Sequence, residues 1–197
     1  MLYPVLNAIS DQLNSSIYKK WGETINGTSE IVQLNNIANI NDEKNDLQNK
    51  IIFTLIKVEE ETSLKNGNFY TKKEKAQIIK HQPPIYLNLY LLVSVTKKTY
   101  KEALQLLSDT ITFFQAHKIF LIQLGDEGSG NDGHYRITIE QHEINLQEVF
   151  DMWSNLGNKH FPSGFYKIRL LKIFDFEKFE DTKPVKKIKV QYENNYH

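Results

Sequence analysis

The chain has 197 residues, with 24 Lys+Arg balanced by 24 Asp+Glu, so its formal net charge at pH 7 is zero. This length predicts one domain, and the neutral balance argues against nucleic acid or an anionic membrane as a partner, since such binders normally carry a basic surface. The absence of cysteine excludes disulfides, thiolate metal sites and cysteine nucleophiles, and it suits assembly in the cytoplasm.

The first part of the chain predicts one helix and two strands. Apolar residues recur every fourth position from Val5 to Ile17, which indicates an amphipathic helix over residues 4–20. Nothing in this region resembles a secretory signal, and no apolar run of the chain is long enough to cross a membrane. A short strand is expected over 30–40, followed by a charged, Asn-rich turn over 41–50.

The segment 51–60 alternates strongly and predicts a strand near the centre of the sheet. One face of this strand carries Ile52, Thr54, Ile56 and Val58, and the other carries Ile51, Phe53, Leu55 and Lys57. Residues 61–82 contain an Asn66-Gly67 turn and a lysine-rich stretch, and they indicate a long mobile hairpin or insertion.

Residues 85–96 predict a full-length, half-buried strand, and a helix follows it. Thr99 and Glu102 have the spacing of a capping box at the start of that helix. The strand places Ile85, Leu87, Leu89, Leu91, Val93 and Val95 on one face, with Tyr86, Asn88, Tyr90 and Leu92 on the other. The expected buried stripe of the helix is Tyr100, Ala103, Leu104, Leu107, Ile111 and Phe114.

The remaining elements are a hairpin, a helix and a last strand. Segments 118–123 and 135–141 read as strands joined by a glycine-rich loop. Asn145 with Glu148 predicts a second capped helix, Gly157 falls where a left-handed cap is expected, and 165–174 predicts the closing strand. The stripe of this helix is Val149, Met152, Trp153 and Leu156.

Together these elements predict an α/β (α+β) domain, with about three helices packed on a mixed, mainly antiparallel sheet. The domain is expected to span 1–174, and 175–197 forms a charged C-terminal arm with little to bury. Val185, Ile188 and Val190 could form a weak strand within the arm.

The residue types that carry chemistry do not converge in the sequence. The loop over 125–133 lacks both the Gly-Lys-Ser/Thr of a phosphate loop and the carboxylate spacing of a calcium loop. Neighbouring glutamates at 59–61 point to opposite faces of a strand, so they do not form an acid–base pair. The histidines lack the spacing of metal ligands, and Ser163 lacks the tight turn that presents a nucleophile. We therefore predict no catalytic, cofactor or metal site.

The face carrying Tyr86, Asn88 and Tyr90 has two interpretations. Exposed aromatic residues favour a protein interface, whereas a covered face would be a second core layer packed against a helix. Both interpretations are open at this stage. The lysine-rich stretch over 71–80 is interpreted as a solvated loop that orders against a partner.

Several fragments occur in order along most of the chain. They are Asn36-Ile37-Ala38-Asn39, Lys57-Val58-Glu59-Glu60-Glu61 with Leu64-Lys65-Asn66, PPIYLNLYLL from Pro83, YKEALQLLSDTITFFQ from Tyr100, Trp153-x-x-Leu156-Gly157, and Pro162-Ser163-x-x-Tyr166-Lys167-x-Arg169. This order, from about residue 2 to about residue 174, resembles the cap or tail-terminator proteins of extracellular contractile injection systems, such as the antifeeding prophage and the Photorhabdus virulence cassettes.

The resemblance implies a phage tail-terminator-like fold and a structural rather than enzymatic role. It implies a homohexameric ring at the end of the inner tube and sheath away from the baseplate, where the ring stops polymerisation. Tube protein and sheath protein would be the partners, in a phage-tail-like particle that is assembled in the cytoplasm. Larger members carry a further C-terminal domain, whereas this chain has only a short basic arm.

The residues expected to contact partners lie in two places. On the central strand they are Tyr86, Asn88 and Tyr90, and in the arm they are Lys183, Val185, Lys187, Ile188, Lys189 and Val190, which are expected to add a strand to the terminal sheath subunit. A phage tail terminator or neck connector would share this fold and differ in its partners. An uncharacterised enzyme is the alternative from another class.

Overall fold

A computed structural model describes residues 2–21, 30–42, 46–61, 71–74, 77–80, 86–124, 133–157 and 159–173. The described helices are α1 (Leu2–Trp21), α2 (Tyr100–Ala116) and α3 (Leu146–Asn155), with a 3-10 helix over Ile37–Asn41. The strands are β1 (Val32–Leu34), β2 (Ile51–Glu60), β3 (Thr71–Glu74), β4 (Gln77–Lys80), β5 (Tyr86–Val95), β6 (Ile119–Leu124), β7 (Gly133–Gln141) and β8 (Ser163–Ile173).

Six strands form a mixed sheet in the order β1-β2-β5-β8-β7-β6, and β3 pairs with β4 in a separate antiparallel hairpin. Among the described strands only β1 and β2 pair in parallel, so the predicted mixed, mainly antiparallel α+β sheet with three helices is confirmed. Strand β2 was predicted near the centre of the sheet, and it lies inside the sheet between β1 and the central pair β5 and β8. None of the described helices is long and apolar enough to cross a membrane.

The first face of the sheet is covered by α1 and α2. The apolar stripe of α1 is buried, as its period predicts, and Asn14 ties the helix to β1 by accepting from the Ile31 and Val32 amides at 2.8 and 3.2 Å. At the other end of α1, Asp109 of α2 accepts from Trp21 at 2.7 Å. The resulting core contains residues from β2, β5, β6, β7 and β8.

The buried side of helix α2 differs from the predicted apolar stripe. Leu106 is buried, whereas Leu104 is 42% exposed and Tyr100 is also exposed, so the prediction that these two residues are core is wrong. Thr99 is the N-cap residue but its side chain makes no cap hydrogen bond, so the predicted capping box does not form. A helix with apolar residues on several sides has more than one stripe that fits the period, and the sheet selects one of them.

The second face of the sheet is covered over half its area. A smaller core there joins Ile37, Leu47, Ile52 and Leu92 to Trp153 of α3. Helix α3 has the predicted capping box, with both Asn145 and Glu148 bonds present, and Gly157 has the predicted positive φ of 102°.

The strand predicted over 30–40 is shorter than expected. It ends at Leu34, because the Asn36 side chain accepts from the Ala38 amide at 3.0 Å and starts the 3-10 helix. The hydroxyl of Thr54 fixes this helix by accepting from the Ile37 amide at 3.0 Å. Leu47, in a segment interpreted as a charged turn, is fully buried in the second core.

Candidate interaction surface

The part of the second sheet face that lies outside the second core is the candidate site, and we call it the open face. In the pairing register, Tyr90 of β5 lies between Lys57 of β2 and Lys167 of β8, while Asn88 lies between Glu59 and Arg169. Residues in register share a face, so these six side chains project on one side of the sheet. The described helix α3 and the 3-10 helix pack in the second core, next to these residues.

A β-bulge gives the open face its charged residues. The β2–β5 register shifts between Leu55 and Lys57, so Ile56 is the extra residue and the alternation of β2 reverses beyond it. Lys57 therefore projects beside Tyr90, and Val58 projects on the side of Leu89. The predicted grouping of Lys57 with Phe53, and of Val58 with Thr54, is wrong for this reason.

Tyr90 is the centre of the open face. Its hydroxyl donates to Glu59 Oε2 at 2.9 Å, and Lys57 pairs with the other oxygen of that carboxylate. The ammonium nitrogens of Lys57 and Lys167 lie 5.8 and 5.7 Å from the Tyr90 ring centroid, within cation–π range. The His142 ring meets the same tyrosine edge-on at 5.0 Å. Two cations and a histidine thus enclose one half-buried aromatic ring.

Electrostatics within this cluster favour the ordinary charge states. The hydrogen bond and charge of Glu59 raise the pKa of Lys57, and the Lys57 and Tyr90 hydrogen bonds lower the pKa of Glu59. The pKa of Tyr90 is raised, first by its hydrogen bond to Glu59 and then by desolvation. All three pKa values move away from neutral pH, so these groups do not exchange protons there. The cluster is suited to binding by charge and aromatic contact.

Asn88 differs from its expected open position. It is only 5% exposed, and its amide donates to Glu61 Oε2 at 2.9 Å. The amide therefore fixes the end of β2 against β5. Tyr86, further along the strand, is half-buried. A partner contact for Tyr86, Asn88 or Tyr90 stays a prediction.

The open face continues across β8, β7 and β6. Arg169 donates to Glu140 at 2.7 Å, an exposed pair of the kind that contributes about 0–1 kcal/mol. Beyond it, Leu121 of β6 pairs in register with Arg136 and is 75% exposed. Charged and apolar side chains are therefore interspersed over this part of the sheet.

Other sequence candidates lie outside this surface. Ser163 begins β8. His117 stacks on Phe113 and His160 packs against Trp153, so two of the histidines are structural. Within the described ranges there is no group of three or more His, Asp or Glu residues that could hold a metal. The loop over 125–132 and the predicted arm contacts of Lys183, Val185, Lys187, Ile188, Lys189 and Val190 lie outside the described residues.

The fold and the open face define an α+β domain with a sheet surface suited to protein contact. The chain belongs to the family of the Pvc16 N-terminal domain, whose model matches residues 4–187. The resemblance to the cap proteins of contractile injection systems is thereby confirmed. Among curated proteins, none matches the chain.

Two solved structures are similar to the chain. One is the anti-feeding prophage cap, described as a tube terminating cap, with 17% identity and a TM-score of 0.49 over 75% of this chain and 52% of that chain. The other is the PVC sheath/tube terminator, in the extended state, of an extracellular contractile injection system, with 14% identity and a TM-score of 0.47 over 75% and 51%. The chain spans about half the length of these proteins.

Proposed function

We propose that this protein is a structural cap that terminates the inner tube and sheath of a contractile, phage-tail-like injection system. The observation that carries the proposal is the match of residues 4–187 to the Pvc16 N-terminal domain family. The open face supports a binding role over a catalytic one, because the paired Lys57 and Glu59 keep their ordinary charges at neutral pH. Tube protein and sheath protein are the proposed partners.

The proposed active form is a homohexameric ring at the tube end distal to the baseplate. A ring requires contacts that repeat head to tail around a closed rotation. A formal net charge of zero supports self-association, because it imposes little electrostatic repulsion between copies. Light scattering of the purified protein, alone and with tube ends, should give a mass of several subunits. A mass of one subunit, persisting at high concentration and with tube ends present, would rule out the ring.

A capping assay tests the function itself. Purified protein added to growing inner tubes should stop elongation, because a terminator occupies the end to which the next tube ring would add. The expected result is shorter tubes with protein at one end only. Elongation that continues unchanged in the presence of bound protein would overturn the proposal.

The proposed contact of the arm with the sheath has its own test. Residues 183–192 are expected to add a strand to the terminal sheath subunit, since main-chain hydrogen bonds need little from the partner's side chains. Deleting 181–197 should leave the ring folded and weaken its binding to sheath in a co-sedimentation assay. Unchanged sheath binding by the shortened chain would eliminate this contact.

The alternative is a phage tail terminator or neck connector of the same fold. The partners discriminate between the two, so the tube and sheath proteins captured by this chain from assembled particles decide the choice. The cap proposal is compatible with a tail-like particle that is released, docked on a membrane or retained in the cell. Capture of a capsid or head–tail connector protein instead would favour the alternative.

A further inference from the structure

Helix α3 carries two large apolar side chains that are mainly exposed. Leu146 is 70% exposed and Phe150 is 57% exposed. They are four residues apart, so they are neighbours on one side of the helix, and we call them the apolar pair. Asp151, which follows Phe150, is also exposed and accepts from the Gln147 side chain at 2.9 Å. This side of α3 therefore presents apolar surface beside an acidic residue.

A pocket of about 370 Å³ lies on the other side of the same helix. It is bounded by Glu148 of α3, Tyr90 of β5 and His142, and we call it the Tyr90 pocket. Phe150 and Glu148 are two residues apart, which places them about 200° apart around a helix of about 3.6 residues per turn. The apolar pair of a chain therefore points away from the pocket of that chain. The apolar lining of the pocket includes Ile56, Ile144, Met152 and Phe165.

The charges beside the two surfaces are complementary. At the pocket, the carboxylate of Glu148 is engaged by the helix cap, whereas Lys167 has no ion pair among the described residues. Glu140 lies across from Lys167 in the sheet but bonds to Arg169 instead. Asp151 likewise has no cationic partner within the described part of the chain. An unpaired acid thus accompanies the apolar pair, and an unpaired cation accompanies the pocket.

We propose that the Tyr90 pocket receives Phe150 of a second copy of the chain. In this contact Asp151 of that copy lies opposite Lys167. The inference rests on the proposed ring and names the contact between its copies. Because the donated side chain and the receiving pocket belong to different surfaces, the contact is head to tail. Each copy gives one such contact and receives one, which is the arrangement that a closed ring requires.

The composition of the pocket suits an aromatic side chain. The ring of His142 meets Tyr90 edge-on, with centroids 5.0 Å apart, and a third ring can join this cluster edge-on or offset. Aromatic residues held in pockets supply much of the binding energy of protein interfaces. Phe150→Ala should therefore weaken the association of copies at least ~10-fold, measured by light scattering over a concentration series. Its effect on folding should be small, because the side chain is exposed.

Cross-linking between copies tests the contact, and the absence of cysteine leaves only the introduced thiols to react. A short bis-maleimide is the reagent, since an aromatic side chain in a pocket holds the two Cα atoms near or beyond the limit of about 7 Å for a disulfide. A mixture of F150C chains and H142C chains should give linked dimers. The matched control is a mixture of L104C and H142C chains, because Leu104 is exposed on α2. We expect the first mixture to cross-link at least ~10-fold faster.

Charge exchange provides an independent measurement. D151K and K167D should each weaken association by about 2- to 5-fold, because each places like charges opposite one another. The chain that carries both substitutions should recover the lost association, since the pair is then reversed and not removed. The matched control combines K167D with D11K, which changes an exposed acid on α1, and it should recover nothing. Recovery that is equal in the two combinations would overturn the pairing of Asp151 with Lys167.

The outcomes separate this contact from the ring itself. Equal cross-linking in the two mixtures, in a sample whose mass shows several subunits, would overturn the contact and leave the ring. F150C chains that cross-link to one another as fast as to H142C chains would mean that two α3 helices meet face to face, which also overturns the contact. A mass of one subunit at high concentration and with tube ends present would overturn the ring and the contact together. The capping assay with the unsubstituted protein measures the function separately.

Discussion

The second face of the sheet has a covered half and an open half built from the same strands. In the covered half, Leu92 of β5 pairs with Phe165 of β8 under α3. Two residues away along each strand, Tyr90 pairs with Lys167 on the open face. The strand geometry is the same at both positions. The two positions differ in the layer that packs above them. Alternation along a strand determines which face a residue occupies, and the covering element determines whether that residue is part of the core or part of a surface.

The largest contrast should come from helix α3, which covers one half. Trp153 is 4% exposed in the second core, so Trp153→Ala should lower the free energy of unfolding by about 3–5 kcal/mol. Phe150 on the same helix is exposed, and Phe150→Ala should change the free energy of unfolding by less than ~0.5 kcal/mol. Urea unfolding of both variants measures the difference, and equal losses would show that α3 is not anchored through Trp153.

Two tyrosines on opposite faces should respond differently to alkaline pH. Burial raises the pKa of Tyr166 to about 12, and its hydroxyl has no hydrogen-bond partner among the described residues. The folded chain therefore keeps the phenol proton between about pH 10 and pH 12, where the unfolded chain has lost it. Stability from the neutral phenol is complete below about pH 10 and falls by roughly 2–3 kcal/mol as pH rises to 12.

Replacing each tyrosine by phenylalanine separates the two causes of a raised tyrosine pKa, which are burial and hydrogen bonding. Tyr166→Phe should flatten the loss of unfolding free energy measured by urea titration between about pH 10 and pH 12. Tyr90→Phe should leave most of that slope in place, because the pKa of Tyr90 is raised chiefly by its hydrogen bond to Glu59 rather than by burial. A slope that depends on Tyr90 and not on Tyr166 would contradict the assignment of Tyr166 to the buried face.

The helix caps give a smaller contrast between the two faces. Asn145→Ala removes the side-chain oxygen that accepts from the Glu148 amide and should cost about 1 kcal/mol of unfolding free energy. Thr99→Ala on α2 should cost less than ~0.5 kcal/mol, because the Thr99 side chain makes no cap hydrogen bond. Thermal unfolding measures both. If Thr99→Ala lowers the free energy of unfolding as much as Asn145→Ala does, the Thr99 side chain caps α2 as the sequence predicted.

The smallest effect on stability should come from the open face. Tyr90→Phe removes the bond to Glu59 and keeps the ring between the two lysines, so the unfolding free energy should change by less than ~0.5 kcal/mol. Tyr90→Ala also removes the aromatic side chain, and if the open face joins copies in the proposed oligomer, this variant should weaken assembly more than it weakens the fold. Light scattering detects this. If assembly is unaffected by Tyr90→Ala, the open face is not the surface on which copies or partners meet.

Sequence was sufficient for most of the framework. Strand β2 runs over the predicted residues, both hairpin strands β6 and β7 were found, and the cap of α3 follows from Asn145 and Glu148. These features depend on local periodicity and local hydrogen bonds, which neighbouring residues determine.

The errors have non-local causes. The bulge at Ile56 reverses the faces of β2, and nothing in an alternating sequence marks it. Leu47 was expected to be exposed and is buried, whereas Leu104 was expected to be buried and is exposed. Packing against the sheet determines which side of each segment is covered. The cluster of Lys57, Glu59 and Lys167 around Tyr90 was missed for the same reason, since it exists only once three strands are in register.

Electron microscopy of particles assembled with and without this protein tests the cap most directly. Particles that contain it should have uniform length, with extra density at the end distal to the baseplate. Particles that lack it should vary in tube length and have no such density. Unchanged length and an unchanged distal end in its absence would contradict the role of this protein as a terminator.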